Sequence, residues 1–314
     1  MNNGPDARQH PGDQERAPID LEHVLNSLRS LLPAVATDLI KLNQDMSEPL
    51  NQAFAENPDN PLEHASKWHQ YGILTHSEEF RRVITGREPG EARAYTQEWG
   101  VEDEVADILS ERINGTPKED LLQVSSLLHD MGKFPARELR SKRGDGVLSR
   151  FYTDHEAHSG MIIRHDLKED LASLGLDDEQ IEHVAACAEL HFELGKVRRE
   201  ARDGFTMQFA RSEECKGAIQ EIIEEHPDYA AEIGLMFIAD SLSKTEIMAL
   251  PGTDEEIQLQ RPDLEAKIAS RGLHRKLIDQ ALTQPVNLEV AKRYFEIWSD
   301  MRRSGSIQPA EASE

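Results

Sequence analysis

Apolar residues recur three and four positions apart along most of this chain, and that spacing predicts helices. Leu21, Val24, Leu25, Leu28, Leu32 and Val35 form one such stripe, and Val101, Val105, Ile108 and the pair Arg112 and Ile113 extend another. Ile73, His76, Phe80 and Val83 step by 3, 4 and 3, as do Ile181, Val184, Ala188 and His191. Alternating runs rich in Val, Ile and Thr are almost absent, so few strands are expected. Thr116-Pro117-Lys118-Glu119 reads as a capping box with proline at the first helical position. It would open a helix holding Leu121, Leu122, Val124, Leu127 and Leu128. Asp177 followed by Gln180 reads as a second box. Breaks are expected over residues 86–90, 140–146, 195–204 and 251–262. The pattern predicts an all-α fold: a single helical bundle over 62–250, an N-terminal helical extension over 19–61 and a C-terminal helical segment over 251–302. Residues 1–18 and 303–314 lack a hydrophobic pattern and are expected to be disordered tails.

Charge narrows the functions open to such a fold. The 314 residues hold 35 Lys+Arg and 59 Asp+Glu, a formal net charge of −24. A polyanion or an anionic membrane would repel this chain, so no long nucleic acid and no membrane are expected as partners. The hydrophobic set is 38% and charged residues are 30%, too apolar for a disordered chain and too polar for a membrane protein. The longest apolar runs are short, such as Leu235-Met236-Phe237-Ile238-Ala239, well under the roughly 18 residues a membrane span needs. The N-terminal stretch MNNGPDARQHPGDQERAP has no apolar core and is not read as a secretory signal. Cys187 and Cys215, with no C-x-x-C, are expected to be free thiols in a reducing cytoplasm.

The acidity is uneven, and histidines and aspartates fall where packing alone would not put them. From Lys133 to Arg150 six cations (Lys133, Arg137, Arg140, Lys142, Arg143, Arg150) face two acids (Glu138, Asp145), a net of +4. Lys196, Arg198, Arg199 and Arg202 follow His191 against Glu200. Such clusters would steer a small anion, or they are cations collected near helix C-termini. His129-Asp130 ends the Leu127-Leu128 run and precedes a glycine. A neutral imidazole beside a carboxylate suits a cation. His76 lies on its helix's apolar stripe, and Asp240 sits inside the apolar stretch GLMFIADSLSK, where a carboxylate is costly unless paired or metal-bound. His191 shares the stripe of Ile181, whereas His183 falls about 200° around from Ile181, on the polar face. His155 and His158 are three apart in FYTDHEAHSG, and His69, one heptad before His76, is read as structural.

In order, His76, His129-Asp130, His155, His191 and Asp240 resemble the H…HD…H…H…D pattern of the HD-domain superfamily of metal-dependent phosphohydrolases. LLHDMGKF is similar to that family's HDxGK helix, THSEEFRRV to its first-histidine helix, FYTDHEAHSGM to its F-x-x-H-E-x-x-S stretch and FIADSLSK to its final-aspartate helix. The resemblance covers roughly residues 70–245. It implies an HD-type bundle around two divalent ions drawn from Fe, Mn, Mg, Co, Ni or Zn. His76, His129, Asp130 and Asp240 would hold the first, with Asp130 bridging to a second on His155 and His191. His158 would be a partner behind the ligands, a leaving-group acid, or a ligand in place of His155. Lys133 would contact a phosphate, with Arg137, Arg140 and Lys196 as further substrate-binding cations. Two such ions generate hydroxide at neutral pH and neutralise phosphoryl charge.

The activity so implied is hydrolysis of a small phosphate ester: a nucleotide, a phosphomonoester or a cyclic nucleotide. The same six ligands also fit the mixed-valent di-iron oxygenases of the superfamily, which cleave C–C or C–P bonds, and a non-catalytic helical module is a third reading. No G-Y-P follows His191, the Glu-Asp pair of the alarmone hydrolases is missing after His129-Asp130, and the larger architecture of the dNTP triphosphohydrolases is not evident. Residues 19–61 and 251–302 match nothing in the family pattern. They are expected to cover the site, set substrate choice or form a homodimer surface.

Overall fold

Asp20 starts the first helix by accepting the His23 N–H at 3.1 Å, and the stripe that follows buries Val24, Leu25, Leu28, Leu32, Ala36, Leu39 and Ile40. The computed structural model describes residues 17–64, 68–141 and 148–307. The remaining parts of both expected tails, and residues 142–147 with Lys142, Arg143 and Asp145 of the first basic cluster, lie outside the described residues.

The fold is all-α. In chain order the first helices are α1 (Leu21–Asn43), α2 (Pro49–Glu56), α3 (Ile73–Ile84), α4 (Ala92–Glu98), α5 (Glu102–Ser110) and α6 (Lys118–Leu128). Then come α7 (Lys133–Ala136), α8 (His155–Met161), α9 (Lys168–Ser173), α10 (Asp178–Leu190), α11 (Met207–Ala210) and α12 (Glu213–Glu225). The last are α13 (Ala230–Ser243), α14 (Asp254–Leu259), α15 (Arg261–Ser270) and α16 (Leu277–Arg303). Two antiparallel hairpins interrupt them: β1 (Arg112–Ile113) with β2 (Thr116–Pro117), and β3 (Arg137–Ser141) with β4 (Leu148–Tyr152). Among the described residues no helix is long and apolar enough to cross a membrane. Cys187 and Cys215 are free and buried.

Two hydrophobic cores share the central helices. One gathers α1, α2, most of α6 and the inner faces of α9 and α10. The other gathers α4, α5, α12, α13 and α16. Helices α3, α6 and α10 contribute to both: Ile73 faces one core while Phe80, Val83 and Ile84 face the other. Helix α1, expected as an extension, supplies part of a core wall. Helix α16 does the same, burying Val286, Val290, Tyr294, Phe295 and Trp298. Ile307, within the expected C-terminal tail, packs against that core.

The hairpins correct two expectations. Arg112 and Ile113 are not helical. Asn114 (φ 48°) and Gly115 (φ 88°) turn the chain back through two residues of positive φ, as two-residue hairpins require. Thr116 therefore does not cap α6, whose N-cap is Pro117 with no side-chain hydrogen bond. The Thr116 hydroxyl accepts instead from Gln180 Nε2 at 3.0 Å and Ile19 N–H at 3.3 Å. The second hairpin occupies an expected break. Its strands carry Arg, Glu, Ser and Tyr in place of branched residues, and it is anchored by ions. Glu63 accepts from Arg137 Nη2 at 2.6 Å and Arg150 Nη2 at 2.7 Å, and Tyr152 donates to the Glu63 carbonyl. The expected break over 251–262 also holds α14, capped by Thr253 and Glu256.

The Asp177 box forms as expected, with both reciprocal hydrogen bonds to Gln180 at 3.0 Å. Asp177→Ala should lower stability by about 1 kcal/mol, read as a lower denaturant midpoint at unchanged slope.

Candidate metal centre

The cluster is built around one carboxylate. His129 is the C-cap of α6 and Asp130 follows it in the turn before α7. Gly132 lets α8 lie against that turn: a Cβ there would stand 2.0 Å from the His155 carbonyl, and the Gly132 N–H donates to Ser159 Oγ at 2.9 Å. This contact brings His155 Nε2 to 3.5 Å from Asp130 Oδ1, with His191 Nε2 from the end of α10 at 3.8 Å. The other oxygen, Oδ2, faces His129 Nε2 at 3.4 Å and His76 Nε2 at 3.6 Å. His76 Nε2 is 3.4 Å from Asp240 Oδ1 on α13. The two oxygens of Asp130 thus face different sets of histidines. Potential ligand atoms of His76, His129 and Asp240 lie within 4.8 Å of one another, as do those of His129, Asp130 and His191.

Tautomer decides what these contacts are. Each ring turns its Nδ1 to a backbone carbonyl: His129 to Ser126 (2.8 Å), His155 to Tyr152 (2.9 Å), His191 to Ala188 (2.7 Å) and His76 to Ser243 (3.4 Å). A carbonyl only accepts, so Nδ1 carries the proton and the Nε2 lone pair points inward. Burial holds His129 well below the usual imidazole range and brings His155 down to about 4, so both are neutral at pH 7. Burial raises Asp130, but the Lys133 ammonium beside it pulls it well below the carboxylate range. Lone pairs therefore face lone pairs, and His76 Nε2, His129 Nε2 and Asp130 Oδ1 are buried with no hydrogen-bond partner. Such a set is costly as it stands and fits a cation. These residues can hold metal ions.

Two lysines hold the carboxylates in place. Lys133 is buried, with Nζ 2.6 Å from Asp130 Oδ2 and 2.9 Å from His64 Nε2, so it is not a solvent-facing lysine. Lys244, one turn beyond Asp240, pairs with it. Sequence reasoning passed over Lys244 and also His64, which stacks on His69 at 3.6 Å between ring centroids. His64 Nε2 is 3.8 Å from Asp130 Oδ2, and His69 stands edge-on to His76 at 4.6 Å. His64 belongs to an irregular segment, where no periodicity marks an inward face. For His69 the heptad spacing to His76 was the available signal.

Other expected site residues are placed elsewhere. His158 turns Nδ1 to the Asp154 carbonyl at 2.7 Å, whereas His155 Nε2 stands 3.5 Å from Asp130 Oδ1, so His155 is the α8 residue at the cluster. Arg137 is buried on Glu63 and Asn51, Arg140 pairs with Glu138 in the hairpin, and Lys196 pairs with Glu193. Local charge counting missed Glu63 because it lies far away in sequence. A third group of ligand-type residues, Glu193, Glu225 and His226, forms apart from the cluster, and Lys196 already neutralises its Glu193.

His183 corrects the face assignment. It is buried, not solvent-facing, because Tyr229 stacks on it at 5.3 Å and α13 covers it. Its Nε2 is 3.6 Å from Cys187 Sγ and 3.7 Å from Glu232 Oε1, away from Asp130.

No protein-family model matches this chain, and no curated protein matches it.

Asp130→Ala should strip the purified protein of bound metal, measured by elemental analysis, whereas His183→Ala should retain it. Burial lifts Glu232 to about 7 from 4.5, and neither of its oxygens has a hydrogen-bond partner. The protonated form is thus the one the fold favours. That contribution is complete below pH 4.5 and is lost as pH rises through 7. Glu232→Gln should therefore gain up to roughly 3 kcal/mol over the native chain at pH 8 relative to pH 5, read by denaturation at both values.

Proposed function

We propose that this chain is a metal-dependent phosphohydrolase of the HD-domain type that holds two divalent ions and acts on a small phosphate ester. The observation that supports it is the division of the Asp130 carboxylate, Oδ2 toward His76 and His129 and Oδ1 toward His155 and His191. A bridging ligand needs that division. His76, His129, Asp130 and Asp240 would hold one ion, and Asp130, His155 and His191 the other. Two ions so held supply hydroxide from water at neutral pH and offset the charge that builds on phosphoryl oxygens.

The chain's own residues supply the rest. Four neutral imidazoles and two carboxylates offset only two of the four positive charges that two divalent ions bring. Lys133 and Lys244 add two more, so the loaded site carries a strong local excess of positive charge inside a chain of −24. That excess favours a phosphate group over a neutral substrate. Each lysine is paired to a ligand carboxylate through one oxygen, and with the carboxylates holding metal its ammonium would be free to contact substrate.

Four imidazoles among six donors suit iron, zinc, nickel or cobalt better than magnesium. That donor set favours keeping a second reading, a di-iron oxygenase cleaving a C–C or C–P bond. Metal-loaded protein should hydrolyse at least one member of a panel of nucleotides, phosphomonoesters and cyclic nucleotides, read as freed phosphate or, for the cyclic nucleotides, as the ring-opened monophosphate, and Asp130→Ala should hydrolyse none. Oxygen consumption by the iron-loaded protein, with no hydrolysis product across the panel, would replace the hydrolase reading with the oxygenase one.

A further inference from the structure

Helix α16 carries a polar stripe through an otherwise apolar core. Gln280, Gln284 and Asn287 are each 1% exposed, and all three reach Ser241, the residue after Asp240. Gln280 and Gln284 donate to the Ser241 carbonyl at 3.4 and 2.8 Å, and Asn287 Nδ2 donates to its hydroxyl at 2.8 Å. The Asn287 carbonyl oxygen is left to accept, and it takes Arg198 Nη2 at 2.7 Å. Arg198 lies in the 3₁₀ turn Glu193–Arg199 that follows His191. Its guanidinium rests on the Phe205 ring at 4.7 Å, and its Nε–H is buried with no partner.

Arg198 is more buried than its neighbours Arg199 and Arg202, which are exposed, and it differs from the paired cations of the two basic clusters. Arg137, Arg150 and Lys196 each pair with a carboxylate. Among the described residues no carboxylate lies within ion-pair distance of Arg198. The acid whose field it feels is Asp240, and Arg198 and Lys133 both bear on Lys244. A guanidinium fixed by a neutral amide and an aromatic face, with a desolvated donor left over, has the form of an oxyanion receptor.

We propose that Arg198 is an anion-binding residue of the metal centre, presented by Asn287 as its positioning residue, and that it takes an oxyanion group of the substrate. The proposal rests on the reading of the site as one for a small phosphate ester, and it gives the C-terminal segment a role there. Lys196, the neighbour on the exposed side, has no part in it.

The test is inorganic phosphate binding to the metal-loaded full chain, by calorimetry, with metal content measured for every variant. Arg198→Met should weaken phosphate about tenfold or more, and Lys196→Met should stay within about twofold, as a rim charge does. Arg198→Lys should recover only part of the affinity, because the planar fork is lost. Asn287→Leu should weaken phosphate severalfold at unchanged metal content. Adding Asn287→Leu to Arg198→Met should cost nothing further, a non-additivity that a merely structural role would not produce. Phosphate binding in Arg198→Met within twofold of the native chain overturns the proposal and leaves the hydrolase reading standing. If Arg198→Met does not fold, native affinity in Arg198→Lys overturns it equally. Failure of the metal-loaded native chain to bind phosphate overturns both.

Discussion

Everything at the centre of this protein follows from burying one carboxylate among imidazole lone pairs. Asp130 is nearly inaccessible, and the groups that surround it are mostly acceptors. A carboxylate removed from water without compensation costs several kcal/mol. Lys133 supplies one compensating charge, but it reaches only Oδ2. Oδ1 is left between His155 and His191 with no donor. A packing interaction would not be arranged in this way, because any neutral amide or hydroxyl would serve better. The arrangement is economical only for a ligand that carries positive charge and accepts several lone pairs at once.

The fold is organised to hold that arrangement rigidly. Two hydrophobic cores lie on shared helices, and those helices carry most of the residues that can hold metal: His76 on α3, His129-Asp130 at the end of α6, His191 at the end of α10 and Asp240 on α13. Helix ends matter here. His129 and His191 are C-caps whose Nδ1 groups take carbonyls three residues back, so the same interaction that finishes the helix also fixes the ring. Phe80 stacks on His129 at 4.1 Å, locking its plane from the core side. The hairpin and the Glu63 loop close another side through Arg137, Arg150 and Tyr152. A few specific ion pairs there do what hydrophobic periodicity does elsewhere.

Helices α1 and α16 show why regions that match no known pattern still belong to the site. Helix α1 forms part of the wall on which α6 and α7 rest, and α16 reaches Ser241 beside Asp240 through three amides. Neither region carries a ligand. Both pack against the elements that carry the residues able to hold metal.

Helical periodicity alone was enough to mark the all-α class, the buried stripe of α1, the Asp177 box and the inward faces of His76 and His191. These are properties of residues three and four apart, and the backbone enforces them locally. The same local reasoning failed at Thr116, where Gln180 from a distant helix competes for the hydroxyl, and at His183, where α13 covers a face that looks polar. It overlooked His64 and Lys244 and overrated Arg137, because loops have no period and Glu63 is 74 residues away from Arg137. The sequence by itself thus determined the apolar stripes of the main helices, with His76 and His191 on them. Only the tertiary structure decided which of them share one carboxylate and which cations remain unpaired, because those outcomes depend on contacts between segments that local spacing does not encode.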